Sequence, residues 1–148
     1  MKNAFCFTLF LVYGFACAGQ AAHTTAAKPQ HPAAAPGPMS CAIEGKIVRI
    51  IPPSNADSGT VCAKYPCRAM VKIMSVFGCG SSVSQSLAEG DTVTMRFVYT
   101  LHKTASLFPK MKVQYPGLKK GNKFTATAEE RLKPGTQAEF IIFDYKLK

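Results

Sequence analysis

Apolar and polar residues alternate along five segments of the chain, and a period of two is typical of half-buried β-strands. In one segment, Val93, Met95 and Phe97 alternate with Thr94 and Arg96. The five segments are residues 43–51, 67–77, 92–101, 123–132 and 138–147. No segment shows a long helical period, so the pattern predicts an all-β domain.

Turn residues separate these predicted strands. The pair Pro52-Pro53 ends the first strand because proline cannot continue a hydrogen-bonded ladder. Glycine-containing turns at residues 78–80, 89–91 and 133–135 delimit the others, and the last of these predicts a hairpin. The longest connection, residues 102–122, lies between strands three and four. A connection of that length is usually functional or contains a short helix.

The N-terminus has the pattern of a signal sequence. Lys2 precedes an apolar run over residues 4–18, which is shorter than the roughly 20 residues of a membrane-spanning helix. Ala16 and Ala18 are small residues at the positions that a signal peptidase reads. We therefore expect residues 1–18 to be a cleaved signal peptide, and the product to be secreted, periplasmic or part of the cell envelope.

Cys17 allows a second interpretation. In bacterial lipoproteins, the first mature residue is an acylated cysteine that precedes a flexible tether. The sequence Gly14-Phe15-Ala16-Cys17 resembles such a site loosely, because Gly14 replaces a leucine-like residue. Lipidation of Cys17 would tether the protein to a membrane instead of releasing it.

Residues 19–40 are rich in alanine and proline, nearly uncharged and without apolar periodicity. Such a composition cannot bury enough apolar surface to offset the entropy of ordering, so we expect a disordered linker. The remaining residues, 41–148, suit one small domain, a size at which disulfides help to stabilise the core.

Four of the six cysteines fall in this domain, and an even number in an exported chain indicates disulfides. Four cysteines allow three pairings. If strands one and two form a hairpin, Cys41 lies beside Cys79, which favours the pairing Cys41–Cys79 with Cys62–Cys67. A zinc site is the alternative, but it usually needs two closely spaced cysteine pairs, and the chain has one.

Three strands, a long connection and two further strands is the order of an OB-fold barrel, and Gly45 in strand one also fits. Among exported OB folds, the chain resembles netrin-like domains and tissue inhibitors of metalloproteinases in outline, with a similar third-strand stretch at residues 95–100. It also resembles uncharacterised exported bacterial proteins. The resemblance implies a five-stranded Greek-key barrel stapled by disulfides.

The domain is strongly basic. Two of the 18 Lys and Arg residues precede Cys41 and all 8 Asp and Glu residues follow it, which leaves a net charge of +8. No carboxylate occurs between Asp91 and Glu129. A positive field of this kind attracts anionic polymers, lipid head groups or acidic proteins. The candidate binding residues are Lys103, Lys110, Lys112, Tyr115, Lys119, Lys120 and Lys123.

Motifs of catalysis are missing from the sequence. His102 stands alone in the domain, Glu129 and Glu130 would point to opposite faces of a strand, and no phosphate-binding glycine loop occurs. We therefore expect a non-catalytic binding module without cofactor or metal. The alternatives are a structural or interaction protein of the bacterial cell envelope and, third, a protease inhibitor. An inhibitor of the metalloproteinase type would need Cys41 as its mature N-terminus. Nucleic acid is a less natural partner for an exported protein.

Overall fold

The computed structural model describes residues 35–54, 58–132, 135 and 138–148. The predicted signal peptide, Cys17 and most of the predicted linker lie outside the described residues. The strands are β1 (Ser40–Ile51), β2 (Arg68–Cys79), β3 (Thr92–Phe97), β4 (Lys123–Arg131) and β5 (Glu139–Leu147). Two short 3₁₀ helices, Val61–Ala63 and Thr104–Ser106, lie in the connections that are described.

The five strands form a closed barrel in the order β1-β2-β3-β5-β4, with β4 pairing back to β1. All neighbours are antiparallel except β3 and β5, which are parallel. The long connection after β3 carries the chain past β5 to the far side of the barrel, where β4 pairs with β1. The predicted all-β, OB-like Greek-key barrel is confirmed.

The hairpin of β1 and β2 contains the irregularities that bend the sheet into a barrel. Phe77 and Met74 on β2, and Val48 on β1, have no partner across the pair, as expected of β-bulges. Along β1, Gly45 follows the bulges at Phe77 and Met74 and precedes the bulge at Val48. A Cβ atom at Gly45 would lie 2.6 Å from Cγ1 of Val71, so only glycine fits this packed position.

Two disulfides connect the chain as predicted from the strand pattern. Cys41–Cys79 joins β1 to β2 at a directly opposed pair, and Cys62–Cys67 closes a short loop before β2. All four sulfurs are therefore bonded, and none of these cysteines is available as a zinc ligand. Disulfides of this kind indicate an oxidising environment outside the cytosol.

The core fills the inside of the barrel with side chains from every strand. Phe97, Phe124 and Tyr145 pack edge to face, with ring centroids 5.8 to 6.2 Å apart. The other fully buried apolar residues include Ile43, Ile47, Ala69, Val71, Ile73, Met95, Phe140 and Ile142. These residues occupy alternate positions of their strands, which is the pattern that predicted them.

The strand boundaries that differ most from the prediction are the end of β3 and the beginning of β1. Strand β3 ends at Phe97 and not at Leu101, because the Thr100 hydroxyl and the Leu101 N–H both donate to the Pro66 carbonyl and turn the chain away. Just before β1, the Gly37 carbonyl accepts from the Ser40 N–H, and the Met39 carbonyl accepts from the Glu130 N–H. The folded part therefore begins before Cys41, inside the stretch predicted as linker.

One buried carboxylate holds the segment after β2 against β4. Glu130 is 1% exposed and accepts hydrogen bonds from the hydroxyl and N–H of Ser84, at 2.7 and 2.6 Å, and from the N–H of Gln85 at 2.9 Å. Burial alone would raise the pKa of Glu130, but these hydrogen bonds outweigh it and hold the pKa below its ordinary value. Glu129 points outwards to Arg131 instead.

None of the described residues belongs to a helix that is long and apolar enough to cross a membrane.

Candidate functional site

The connection between β3 and β4 covers one open end of the barrel. Leu101 and Leu118, each 2% exposed, turn their side chains into the core, and the Leu118 N–H donates to the Leu101 carbonyl at 2.8 Å. Thr104, fully buried, exchanges hydrogen bonds with Tyr115 on the opposite side of the connection. The connection is therefore a folded cap, and its lysines project from a fixed surface.

Tyr115 belongs to this cap and not to the exposed surface. Its side chain is 9% exposed, and its ring stacks on Tyr145 and on Tyr99, with ring centroids 4.9 and 6.0 Å away. Burial, the Asp144 carboxylate and Tyr99 all raise the pKa of Tyr115. The sequence predicts Tyr115 as a binding residue, but its ring is already covered by Tyr145 and Tyr99. Phe108 packs edge to face on Tyr99.

A cleft of about 410 Å³ opens beside the cap. Its walls are largely apolar, with Ile50 and Pro66 on the barrel side and Leu118 on the cap side. Lys103 and Lys119 both line it, although they are distant in sequence. His102 also lines the cleft, with its ring centroid 5.2 Å from that of Tyr65. Two predicted lysines thus meet at a concave surface.

The turn Lys119–Asn122 fixes three of the predicted lysines against β1. The Asn122 side-chain oxygen accepts from the Lys119 N–H at 2.8 Å, and Gly121 adopts a φ of +90° that favours glycine. Gly121 donates to the Ile47 carbonyl and the Asn122 carbonyl accepts from the Ile47 N–H, at 2.8 and 2.9 Å. Lys119 and Lys120 therefore lie next to the middle of β1, and Lys123 follows as the first residue of β4.

Across the barrel surface, this turn leads into a line of three lysines on neighbouring strands. Lys46 of β1 is directly opposite Lys123 of β4 on one side and Lys72 of β2 on the other. All three side chains are exposed, and the residues flanking Lys46 and Lys72 in the chain are buried. We call Lys123, Lys46 and Lys72 the lysine row.

Nearby carboxylates are occupied by other groups. Glu44, two residues before Lys46, pairs with the Lys148 ammonium group. Asp91 precedes Thr92, the β3 residue opposite Lys72, and its carboxylate accepts the N–H of Ala88 at 2.9 Å. Among the residues that the structure describes, no carboxylate lies within ion-pair distance of the lysine row. Within this part of the chain, the three lysines of the row therefore form no ion pair.

Lys110 and Lys112 occupy a separate turn. The Met111 N–H donates to the Phe108 carbonyl, and the Gln114 side-chain amide donates to the carbonyls of Phe108 and Met111. Both lysines are exposed. Neither lines the cleft nor belongs to the lysine row, so the structure divides the predicted lysines into two groups.

Lys46 and Lys72 were not among the predicted site residues. They are isolated cations in the sequence, each between apolar residues, and no local cluster marks them. The alternation does predict that both face outwards, but their mutual alignment depends on the register of the hairpin. That register becomes visible only with the bulges at Met74 and Phe77.

Within the described ranges, no three His, Cys, Asp or Glu side chains lie together in a way that could hold a metal ion. Comparison of the chain with protein-family profiles, with curated proteins and with solved structures found no significant match. The resemblance to netrin-like domains and metalloproteinase inhibitors therefore stays a prediction. The functional proposal below rests on the residues of the barrel.

Proposed function

We propose that this chain is an exported, non-catalytic binding module that recognises an anionic ligand through the basic connection between β3 and β4. The observation that carries the proposal is the convergence of Lys103 and Lys119 on the apolar cleft. Cations at the rim of a partly desolvated surface attract anions more strongly than cations in open water do. The ligand is an anionic polymer, a lipid head group or an acidic protein.

Several features support this proposal over a purely structural role in the cell envelope. A protein that needs charge only for solubility gains nothing from placing it in one cleft and one row. The backbone of the turn Lys119–Asn122 is held by hydrogen bonds, so less backbone entropy is lost when its lysines bind. The inhibitor alternative depends on a free N-terminus at Cys41, and Cys41 is fully buried within β1.

The proposal is tested by measuring binding of immobilised heparin and of vesicles with and without anionic lipid, each at several salt concentrations. The paired variant Lys103→Gln/Lys119→Gln removes two charges from the cleft, and Lys110→Gln/Lys112→Gln removes two from the separate turn. We expect the cleft pair to weaken binding about tenfold, and the separate pair to weaken it less, with affinity falling as salt rises.

Absence of salt-dependent binding to any of these probes would contradict the proposal and favour the envelope interaction protein. Equal losses from the two paired variants would show that net charge matters and that the cleft does not. Circular dichroism of both variants checks that the fold is retained, which we expect because all four lysines are exposed.

A further inference from the structure

The lysine row has a feature that a solubilising surface would avoid. Side chains directly opposite each other on neighbouring strands lie about 5 Å apart at Cβ, and like charges in such pairs are destabilising. Lys46 forms two of these pairs, one with Lys123 and one with Lys72. The barrel thus places three ammonium groups side by side at a cost to its own stability.

The row is continuous with the cleft. Lys119 lines the cleft and begins the turn that is hydrogen-bonded to Ile47. Ile47 follows Lys46 directly, and Lys123 follows the turn. Because neighbouring strands are about 4.8 Å apart, the row alone extends over about 10 Å of the barrel surface. Cations therefore run from the concave surface across β4 and β1 to β2.

We propose that the cleft and the lysine row form one extended site for a linear, acidic polysaccharide. This inference rests on the proposed function and names its ligand class. A compact head group could occupy the cleft alone, but a line of cations on three strands is complementary to negative charges repeated along a chain. One polysaccharide chain enters at Lys103 and Lys119 and crosses the row as far as Lys72.

The surroundings of the row favour a polysaccharide over a single-stranded nucleic acid. Proteins that bind single strands combine a basic groove with aromatic side chains on which the bases stack. Residues 46–49, 68–72 and 92–96, which form the outer surface of β1, β2 and β3 at this level, contain no aromatic residue. Arg49 and Met70, which are opposite each other, and two threonines of β3 lie there instead. At the row, the surface offers charges and no stacking platform. In the cleft, the aromatic lining side chain is His102, whose ring already packs against Tyr65.

Heparin oligosaccharides of increasing length are the probe, because length separates the cleft from the extended site. For the unmodified protein, we expect the affinity to rise with length until one chain reaches from the cleft to Lys72, and then to level off. In Lys46→Gln/Lys72→Gln, the affinity for long oligosaccharides falls about tenfold and levels off at a shorter length, since fewer counterions are released. Affinity for the shortest oligosaccharides stays unchanged.

The matched control is Lys110→Gln/Lys112→Gln, which removes two exposed charges outside the cleft and the row. We expect this control to keep the length dependence. Thermal unfolding gives a second readout: Lys46→Gln/Lys72→Gln should unfold at the same or a higher temperature, because a repulsive pair is removed. A loss of binding together with unchanged or increased stability is not expected of a residue that only supports the fold.

The inference and the proposed function fail in distinguishable ways. If Lys46→Gln/Lys72→Gln binds long oligosaccharides like the unmodified protein while the cleft pair loses affinity, the extended site is wrong and the cleft remains. If the cleft pair has no effect on any probe, the proposed function is wrong. Tighter binding of single-stranded DNA or of anionic vesicles than of heparin at equal salt would overturn the assignment to a polysaccharide.

Discussion

At the scale of single residues, the barrel depends on a few polar side chains that the strand pattern does not mark. Glu130 is the clearest of them, since adjacent glutamates on a strand look alike in the sequence. Its neighbour Glu129 lies at the surface beside Arg131, whereas Glu130 is buried and accepts three hydrogen bonds from Ser84 and Gln85. The sequence showed that the two point to opposite faces, and the structure shows which one is inside.

Replacing Glu130 by Gln should lower the free energy of unfolding by about 1–3 kcal/mol at neutral pH, because buried donors lose a charged acceptor. The pKa of Glu130 is lowered in the folded state. Its contribution is therefore complete above the unfolded pKa of about 4.3 and is lost as the pH falls through the folded pKa. Urea unfolding between neutral and acid pH measures both effects.

The control for this prediction is Glu129→Gln, which changes a surface ion pair and should cost well under 1 kcal/mol, about the value of an exposed pair. If Glu130→Gln unfolds with the same dependence on acid pH as the unmodified protein, then Glu130 does not contribute to stability through its charge.

Tyr115 gives a second prediction at this scale. As part of the core, its replacement by Ala should lower the free energy of unfolding by about 3 kcal/mol, within the range for deleting a buried aromatic ring. Tyr115→Phe keeps the ring that stacks on Tyr145 and should leave heparin binding unchanged. A large loss of binding in a stable Tyr115→Phe variant would restore the role in ligand contact that the sequence suggested.

At the scale of elements, the alternation of apolar residues located all five strands, because each strand has one face in the core. It failed at residues 98–101, where the apolar pattern continues but the backbone is diverted to Pro66 by hydrogen bonds between segments that are distant in sequence. It also could not supply the register of β1 and β2. If the pairing started at Cys41 and Cys79 and contained no bulge, Lys46 would lie opposite Met74. The two bulges place Lys46 opposite Lys72 instead.

The two disulfides should differ in their contribution to stability. Cys41–Cys79 links residues 38 positions apart, and Cys62–Cys67 links residues 5 positions apart. The chain-entropy relation gives about 4 kcal/mol for the long link and about 2 kcal/mol for the short one. We expect Cys41→Ser/Cys79→Ser to lower the urea midpoint about twice as much as Cys62→Ser/Cys67→Ser.

Each paired variant serves as the control for the other, since each replaces two sulfurs by two hydroxyls. The reverse order of stabilities would mean that local packing around the short loop, where Cys67 contacts the Tyr99 carbonyl, outweighs chain entropy.

At the scale of the whole molecule, the two ends of the described chain lie in different places on the barrel. The first described residues join the barrel where β1 begins, next to the ends of β2 and β4. The cleft lies where β1 ends, at Ile50, about 30 Å further along the strand. Lys148, in contrast, donates its N–H to the Lys123 carbonyl and so lies beside the lysine row.

This arrangement predicts an effect of attachment. Protein immobilised through a group upstream of Ala35 should bind heparin as free protein does, whereas a bulky group fused after Lys148 should weaken binding to long oligosaccharides several-fold. Surface plasmon resonance with the two orientations checks the prediction. Equal binding in both orientations would indicate that the ligand does not reach the row near Lys123.

The docked segment Gly37–Ser40 also sets where an upstream attachment reaches the barrel. Its hydrogen bonds to Glu130 and to Gly80, just after β2, make the chain leave the barrel at a fixed point, at the end opposite the cleft. Any anchor placed upstream, lipid or protein, would therefore connect to the barrel at a point remote from the cleft. A ligand that binds at the cleft would not have to displace this point of attachment.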